Sequence, residues 1–216
     1  MPEVSPETEA LRQALGRARI AGFLGPGRVD GHLGHAEGFA DAAETALGGV
    51  PANFADLGTG GGIPGLVLAV RWPGARGIFV DSNQRRCSAL REAVVRVGLE
   101  DRIEVLEQRA EVVARASEYR EQFALVTARS FAEPAVTAEI AAGLVDVGGI
   151  LVVSEPPDPA SASRRWPAQG LDELGFGPVE PVECAQVHFA VVRKVAGCPE
   201  RFPRGVGRPA KRPLWS

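Results

Sequence analysis

The stretch Asp56-Leu57-Gly58-Thr59-Gly60-Gly61-Gly62-Ile63-Pro64-Gly65 places a carboxylate two residues ahead of a run of glycines. Glycine occurs where the backbone must turn sharply or let a ligand lie against it. An apolar run precedes the stretch, and Leu66 to Trp72 follows with helical character, so it reads as strand, glycine loop, helix. The helix N-terminus behind the loop offers unpaired N–H groups and the positive end of a dipole. Because Gly60, Gly62 and Gly65 also satisfy the dinucleotide pattern, three readings compete: a nucleotide redox site, a structural turn, and a site for S-adenosylmethionine. Asp56 favours the last, because a pyrophosphate beside it is repelled and a sulfonium amino acid is not.

Three further positions extend the site. Asp81 ends the next apolar run, about twenty residues beyond the loop, where a carboxylate can accept both ribose hydroxyls or cap the following helix with Ser82. Arg109-Ala110-Glu111 follows the third strand, where backbone atoms of Ala110 and Glu111 can read an adenine edge. Thr127-Ala128-Arg129-Ser130 follows the fourth. Sites in open α/β sheets lie at the carboxyl ends of strands, which puts Arg129 in reach of a substrate phosphate or a cofactor carboxylate. His32, His35 and His188 have no ligand spacing with cysteines or acids, so no metal site is expected. The nucleophile elbow G-x-S-x-G is absent.

These residues need a scaffold. Ser5-Pro6-Glu7 starts a helix running to about Ile20. Residues 22–38 hold six glycines and read as loop, followed by a short helix over Glu37 to Leu47. From Asn53 strands and helices alternate: strands over Asn53–Leu57, Gly77–Asp81, Arg102–Leu106, Phe123–Thr127 and Ile150–Val153, with helices over 64–71, 84–97, 110–119 and 134–145. Pro156 to Pro167 reads as surface loop, and 178–184 with 187–195 as a hairpin. The expected fold class is α/β: a mostly parallel, Rossmann-like sheet of seven strands with helices on both faces and a C-terminal antiparallel hairpin. The division is a helical, glycine-rich extension (1–50), a ligand-binding domain (51–196) and a basic tail (197–216).

A chain of 216 residues, 45% hydrophobic and 24% charged, is that of an ordinary globular protein. It has no apolar run long enough for a membrane span and no signal-peptide pattern over Met1-Pro2-Glu3-Val4. Cys87, Cys184 and Cys198 are odd in number and scattered, as free thiols of a reducing, cytoplasmic compartment. A net charge of −3 excludes blanket nucleic-acid affinity. The tail, however, carries Arg201, Arg204, Arg208, Lys211 and Arg212 without an acid, a local phosphate-binding patch.

Asp56 with Gly58, Gly60 and Gly62 resembles the first motif of class I methyltransferases. Together with Pro64-Gly65, Val80-Asp81-Ser82, Arg85-Arg86, Arg109-Ala110-Glu111, Ala128-Arg129-Ser130-Phe131-Ala132 and the tail Arg201-Phe202-Pro203-Arg204-Gly205-Val206-Gly207-Arg208-Pro209, it resembles the small-subunit ribosomal RNA guanine-N7 methyltransferases (the RsmG or GidB type), from about residue 36 to 214. The resemblance implies S-adenosylmethionine as cofactor, contacted by Gly58, Ile63, Ala110, Glu111 and Arg129, and ribosomal RNA or the small subunit as partner. It implies neither metal nor membrane, and a monomer. Asp56, Gly60, Gly62 and Asp81 complete the expected cofactor set, and the five tail cations the RNA-binding set. Two departures mark a divergent member: Ser154-Glu155-Pro156 stands where the family has lysine-glycine, and the glycine-rich stretch around His32 and His35 replaces the usual N-terminal motif. Arg129 and Glu155 are therefore the candidates for acting at the reacting centre, Glu155 by opposing positive charge on the methylated purine. A small-molecule methyltransferase on the same fold and a non-catalytic RNA-binding relative stay open.

Overall fold

The computed structural model describes residues 5–158, 162–184 and 186–216; the Met1 to Val4 stretch read for a signal lies outside them. Helix α1 (Pro6–Ile20) begins where expected. Ser5 Oγ accepts from the Thr8 N–H at 3.2 Å, Glu7 and Glu9 occupy the first turn, and Arg17 and Arg19 the last, each sign matched to the helix dipole. The glycine-rich stretch differs from expectation. Helix α2 spans Val29–Leu47, so it begins well before Glu37. His32, Ala36, Phe39, Ala40 and Ala43 form its buried face. Gly38 sits where a Cβ would lie 3.0 Å from the Phe189 ring, so the glycine serves close packing rather than a turn.

Seven strands follow: β1 (Asn53–Leu57), β2 (Arg76–Asp81), β3 (Ile103–Glu107), β4 (Phe123–Ala128), β5 (Val145–Glu155), β6 (Phe176–Cys184) and β7 (Val187–Lys194). Their order is β3-β2-β1-β4-β5-β7-β6, parallel from β3 to β5 and antiparallel for β5-β7-β6. The expected α/β class with a terminal hairpin is what forms. Alternate residues of each strand feed two cores. Phe54, Phe79, Leu125, Ile150, Val152, Phe189 and Val191 meet α1, α2, α3 (Gly65–Arg71) and α4 (Gln84–Val97). Ala55, Leu57, Val80, Val126, Leu151, Val153 and Ala190 meet α5 (Ala110–Val113), α6 (Pro134–Ala142) and the helices after β5. Covering both faces is what lets such strands read as continuous apolar runs.

Three other segments depart from the sequence reading. The helix from Ala110 ends at Val113, continuing as turns. The helix from Pro134 ends at Ala142, and Gly148-Gly149 lies inside the long strand β5 beside a register shift. The Pro156–Pro167 loop contains a helical turn, α7 (Ala162–Arg165), and its Trp166 is 1% exposed. Then come α8 (Ala168–Glu173) and, after the hairpin, α9 (Arg208–Lys211). The chain leaves β1 toward β2 and β3 on one side and returns to β4 and β5 on the other. The switch point thus falls between the carboxyl ends of β1 and β4, where open α/β sheets bind ligands.

Candidate active site

The glycine loop leaves β1 at that switch point. Gly58, with φ 66°, is held by its N–H to the Val80 carbonyl at 2.8 Å. A Cβ there would meet the Phe131 ring at 2.7 Å, so any side chain would push away the segment that returns over the loop. Asp56 lies beneath, fully buried. Its Oδ2 accepts from the Gly65 N–H at 3.1 Å and its Oδ1 from Thr127 Oγ1 at 2.8 Å. Gly65 permits this approach, since a Cβ would come within 2.8 Å of that same Oδ2. Burial pushes the Asp56 carboxyl up to about 7. Both Asp56 oxygens are thus spent on tying β1 to β4 and α3; the acid expected to face a ligand sits behind the loop because the sheet interior has closed over it.

Asp81, at the end of β2, is 6% exposed and does open onto a cavity. Its Oδ2 accepts from the Gly60 N–H at 3.0 Å and its Oδ1 from the Asn83 N–H at 2.8 Å, with Arg86 Nη1 3.7 Å away. The cap of α4 is Asn83, which accepts from the Arg86 N–H at 3.1 Å; neither Asp81 nor Ser82 does this. The cavity, about 320 Å³, is lined by Gly58, Asp81, Ala110, Glu111, Phe131 and Ile140 among others. Paired carboxylate oxygens at one end and an apolar wall at the other suit a ribose and a purine ring. Glu111, 3% exposed, pairs with Arg109 at 2.8 Å and accepts from the Gly207 N–H at 2.9 Å. The tail therefore closes over this cavity, and Ala210 lines it.

Other expected cofactor residues lie elsewhere. Gly60 also borders a groove between α1 and α4. Gly62 and Ile63 are buried behind the loop, Ile63 within the α1–α4 core. Arg129 is half-buried, and its Nη2 donates to His32 Nδ1 at 2.9 Å. Arginine can only donate, so His32 Nδ1 accepts and its Nε2–H faces the Gly25 carbonyl at 3.2 Å. Burial lowers the Arg129 pKa, and the Asp56 charge opposes that shift.

A second cavity of about 320 Å³ shares Ser130, Phe131 and Ala132 with the first. Ser130, at φ 51°, makes the turn that sets Phe131 between them. His35, Glu155, Pro156, Arg165 and Trp166 are among the other residues of its wall. Glu155 is 7% exposed and 2.9 Å from Arg165 Nε. A cation thus stands beside position 155 after all, supplied by α7 rather than by β5. Burial raises the Glu155 carboxyl, with the Arg165 charge pulling the other way. His35, packed against Phe39 and Phe189, is pushed down to about 4 by burial first and then by the Arg129 charge.

Of the five tail cations, Arg201, Arg208, Lys211 and Arg212 are exposed. Arg201 pairs with Glu173 at 3.1 Å. Arg204 is the exception: its guanidinium closes on the fully buried Glu139 at 2.6 Å and its N–H donates to the same carboxylate at 2.7 Å. It anchors the tail instead of offering a free charge. Among the described residues no cluster of histidine, cysteine or acid could hold a metal, and no helix is long and apolar enough to cross a membrane. Sequence reasoning passed over His32, His35, Phe131 and Arg165 as functional positions. Their local signals were the histidines of the unusual N-terminal stretch, the motif Ala128-Arg129-Ser130-Phe131-Ala132 around Phe131, and the Arg164-Arg165-Trp166 cluster in a stretch read as loop.

Residues 40–155 match the family described as rRNA small subunit methyltransferase G. The ribosomal RNA small subunit methyltransferase G of Chloroflexus aggregans is 35% identical over 168 residues, covering 76% of this chain and 70% of that protein. That of a Roseiflexus species is 36% identical over 183 residues, covering 82% and 77%. Among solved structures, an O-methyltransferase from Bacillus cereus in complex with SAH superposes with a TM-score of 0.60 at 16% identity, covering 90% of this chain and 93% of that one; this likeness speaks for the fold alone.

Proposed function

The chain belongs to the rRNA small subunit methyltransferase G family, and from that premise we propose that it is an S-adenosylmethionine-dependent methyltransferase acting on N7 of a guanine in 16S ribosomal RNA. The observation that carries this reading is the pair of adjoining cavities at the switch point, parted only by Ser130, Phe131 and Ala132. One suits a ribonucleoside cofactor, the other a flipped base. S-adenosylmethionine supplies an electrophilic methyl group on a sulfonium. Asp81 takes the ribose, Ala110 and Glu111 border the adenine, and Gly58 lets the backbone approach. Asp56, Gly60, Gly62 and Ile63 serve the same site by holding the loop in place.

Guanine N7 carries a lone pair, so no general base is required. Alignment of nucleophile and methyl group then dominates, a contribution of roughly 7–11 kcal/mol at best. Glu155 places negative charge where the methylated purine turns positive, and Arg129 positions the N-terminal wall through His32. In this division residues 51–196 hold the cofactor, residues 1–50 wall the base cavity through His35, and residues 197–216 meet RNA phosphates. Arg208, Lys211, Arg212 and Arg201 carry that contact, and Arg204 fixes their position. The enzyme works as a cytoplasmic monomer. Mass spectrometry of nucleosides from 16S RNA, with and without the gene, tests the reading: loss of one 7-methylguanosine is expected, and an unchanged profile would sink it.

A further inference from the structure

The residues lining the second cavity hold four buried polar atoms with no hydrogen-bond partner among the described residues: His35 Nε2, Glu155 Oε1, Arg165 Nε and Trp166 Nε1. Buried acceptors and donors are normally satisfied, and the Arg165 and Trp166 N–H groups beside the Glu155 carboxylate pull it down against its burial. Oε2 of the same carboxylate faces Arg165 Nε at 2.9 Å, which offsets the burial that otherwise disfavours an anion. His35 is gripped by Phe39 and Phe189, with ring centroids at 5.6 and 5.9 Å. The cavity wall thus holds a carboxylate acceptor, an imidazole nitrogen and the Arg165 and Trp166 N–H donors, beside the Phe131 ring on which a flat group can stack.

We propose that this cavity selects guanine by its Watson–Crick edge, with Glu155 accepting from N1–H and the N2 amine and His35 donating Nε2–H to O6. The assignment rests on the methyltransferase reading above and deepens it. Guanine alone among the four bases sets two adjacent donors beside a carbonyl. Adenine turns its N1 acceptor toward the carboxylate and is repelled; uracil offers a single donor, and cytosine a donor next to an acceptor. A base held by this edge leaves N7 unobstructed. Neutral at physiological pH because burial holds its pKa near 4, His35 keeps one ring proton to donate.

The test uses small ribosomal subunits reconstituted with 16S RNA carrying guanine or inosine at the mapped target. Inosine keeps O6 and N1–H but lacks the N2 amine. Wild-type kcat/KM is expected to fall about 10-fold or more on inosine, within the range of one bidentate base contact. Glu155→Gln is expected to lose about 10- to 100-fold on guanine and to treat the two bases alike, with cofactor affinity by calorimetry unchanged as evidence of folding. His35→Phe is expected to weaken guanine and inosine equally, since both keep O6. Wild-type protein that methylates both substrates equally well overturns the assignment and leaves the methyltransferase reading standing. Wild-type protein that methylates no ribosomal RNA overturns both.

Discussion

The two cavities at the switch point are built in opposite ways. The cofactor side comes mainly from short, contiguous pieces: the Gly58 loop, Asp81 at the end of β2, Ala110-Glu111 at the start of α5. The base side is assembled from residues far apart in the chain, His35 on α2, Phe131 after β4, Glu155 at the end of β5 and Arg165 on α7. A ligand gripped by backbone needs particular residues at particular spacings, which leaves a local motif. A base gripped by side chains needs only the right groups at the right points in space. A cation can therefore reach such a site from a distant element, as Arg165 of α7 does beside Glu155 of β5, without a local pattern in the sequence.

Substitutions at Asp81 should separate the two sides most sharply. Asp81→Ala removes the proposed ribose acceptor and strands the Gly60 and Asn83 N–H groups. A loss of about 100-fold in S-adenosylmethionine affinity is expected by calorimetry, while RNA binding by filter retention changes little. Equal losses in both would break the comparison. On the other side, His35→Ala should lower kcat/KM on ribosomal RNA by about 10-fold at saturating cofactor, with the cofactor dissociation constant unchanged.

The two sides also differ in how acid acts on them. The Asp56 carboxyl is raised from 3.8 to about 7, so between those values the folded state holds a proton that the unfolded chain has released. Its stabilising contribution is present in acid and is lost as pH rises from about 4 to about 7. The His35 pKa is lowered from 6.5 to about 4, so its contribution is present above the unfolded pKa and is lost as pH falls through that window. Urea midpoints across pH 4 to 7.5 (about the span of both shifts) should show Asp56→Asn gaining stability with pH more steeply than wild type, and His35→Gln less steeply. Parallel curves for all three proteins would contradict both environments. The smallest effect belongs to the tail: Lys211→Ala should reduce the salt-dependence slope of RNA binding by about 1, with little change in turnover on short substrates.

Some of this was legible in the order of residues and some was not. Strand β1 and helix α4 form with the bounds their patterns predict, because Asn83 and Gly98 punctuate α4 locally and the glycine loop ends β1 directly after Leu57. Helix α2 was half hidden, because glycines normally signal a loop, whereas here Gly31 and Gly34 are carried within the helix and Gly38 lets the Phe189 ring approach from across the molecule. Gly148-Gly149 misled in the same way, lying within β5 beside the register shift against β4. The tail showed its charge but not its fastening, since the carboxylate that captures Arg204 is Glu139, sixty-five positions away in the chain.

From the sequence alone follow the strand–loop–helix at the switch point, the acid at Asp81, the alternating order of elements and the family. All are local patterns, set by backbone conformation and hydrophobic period. Only the tertiary structure decided that Asp56 is sealed beneath the loop, that Arg129 meets His32, that the tail closes over the Asp81 cavity through Glu111 and Gly207, and that Glu155 lines a second cavity beside Arg165 and Trp166. Burial and pairing are properties of the packed whole: the same carboxylate becomes a ligand contact, a brace or a selector according to what the rest of the chain folds against it.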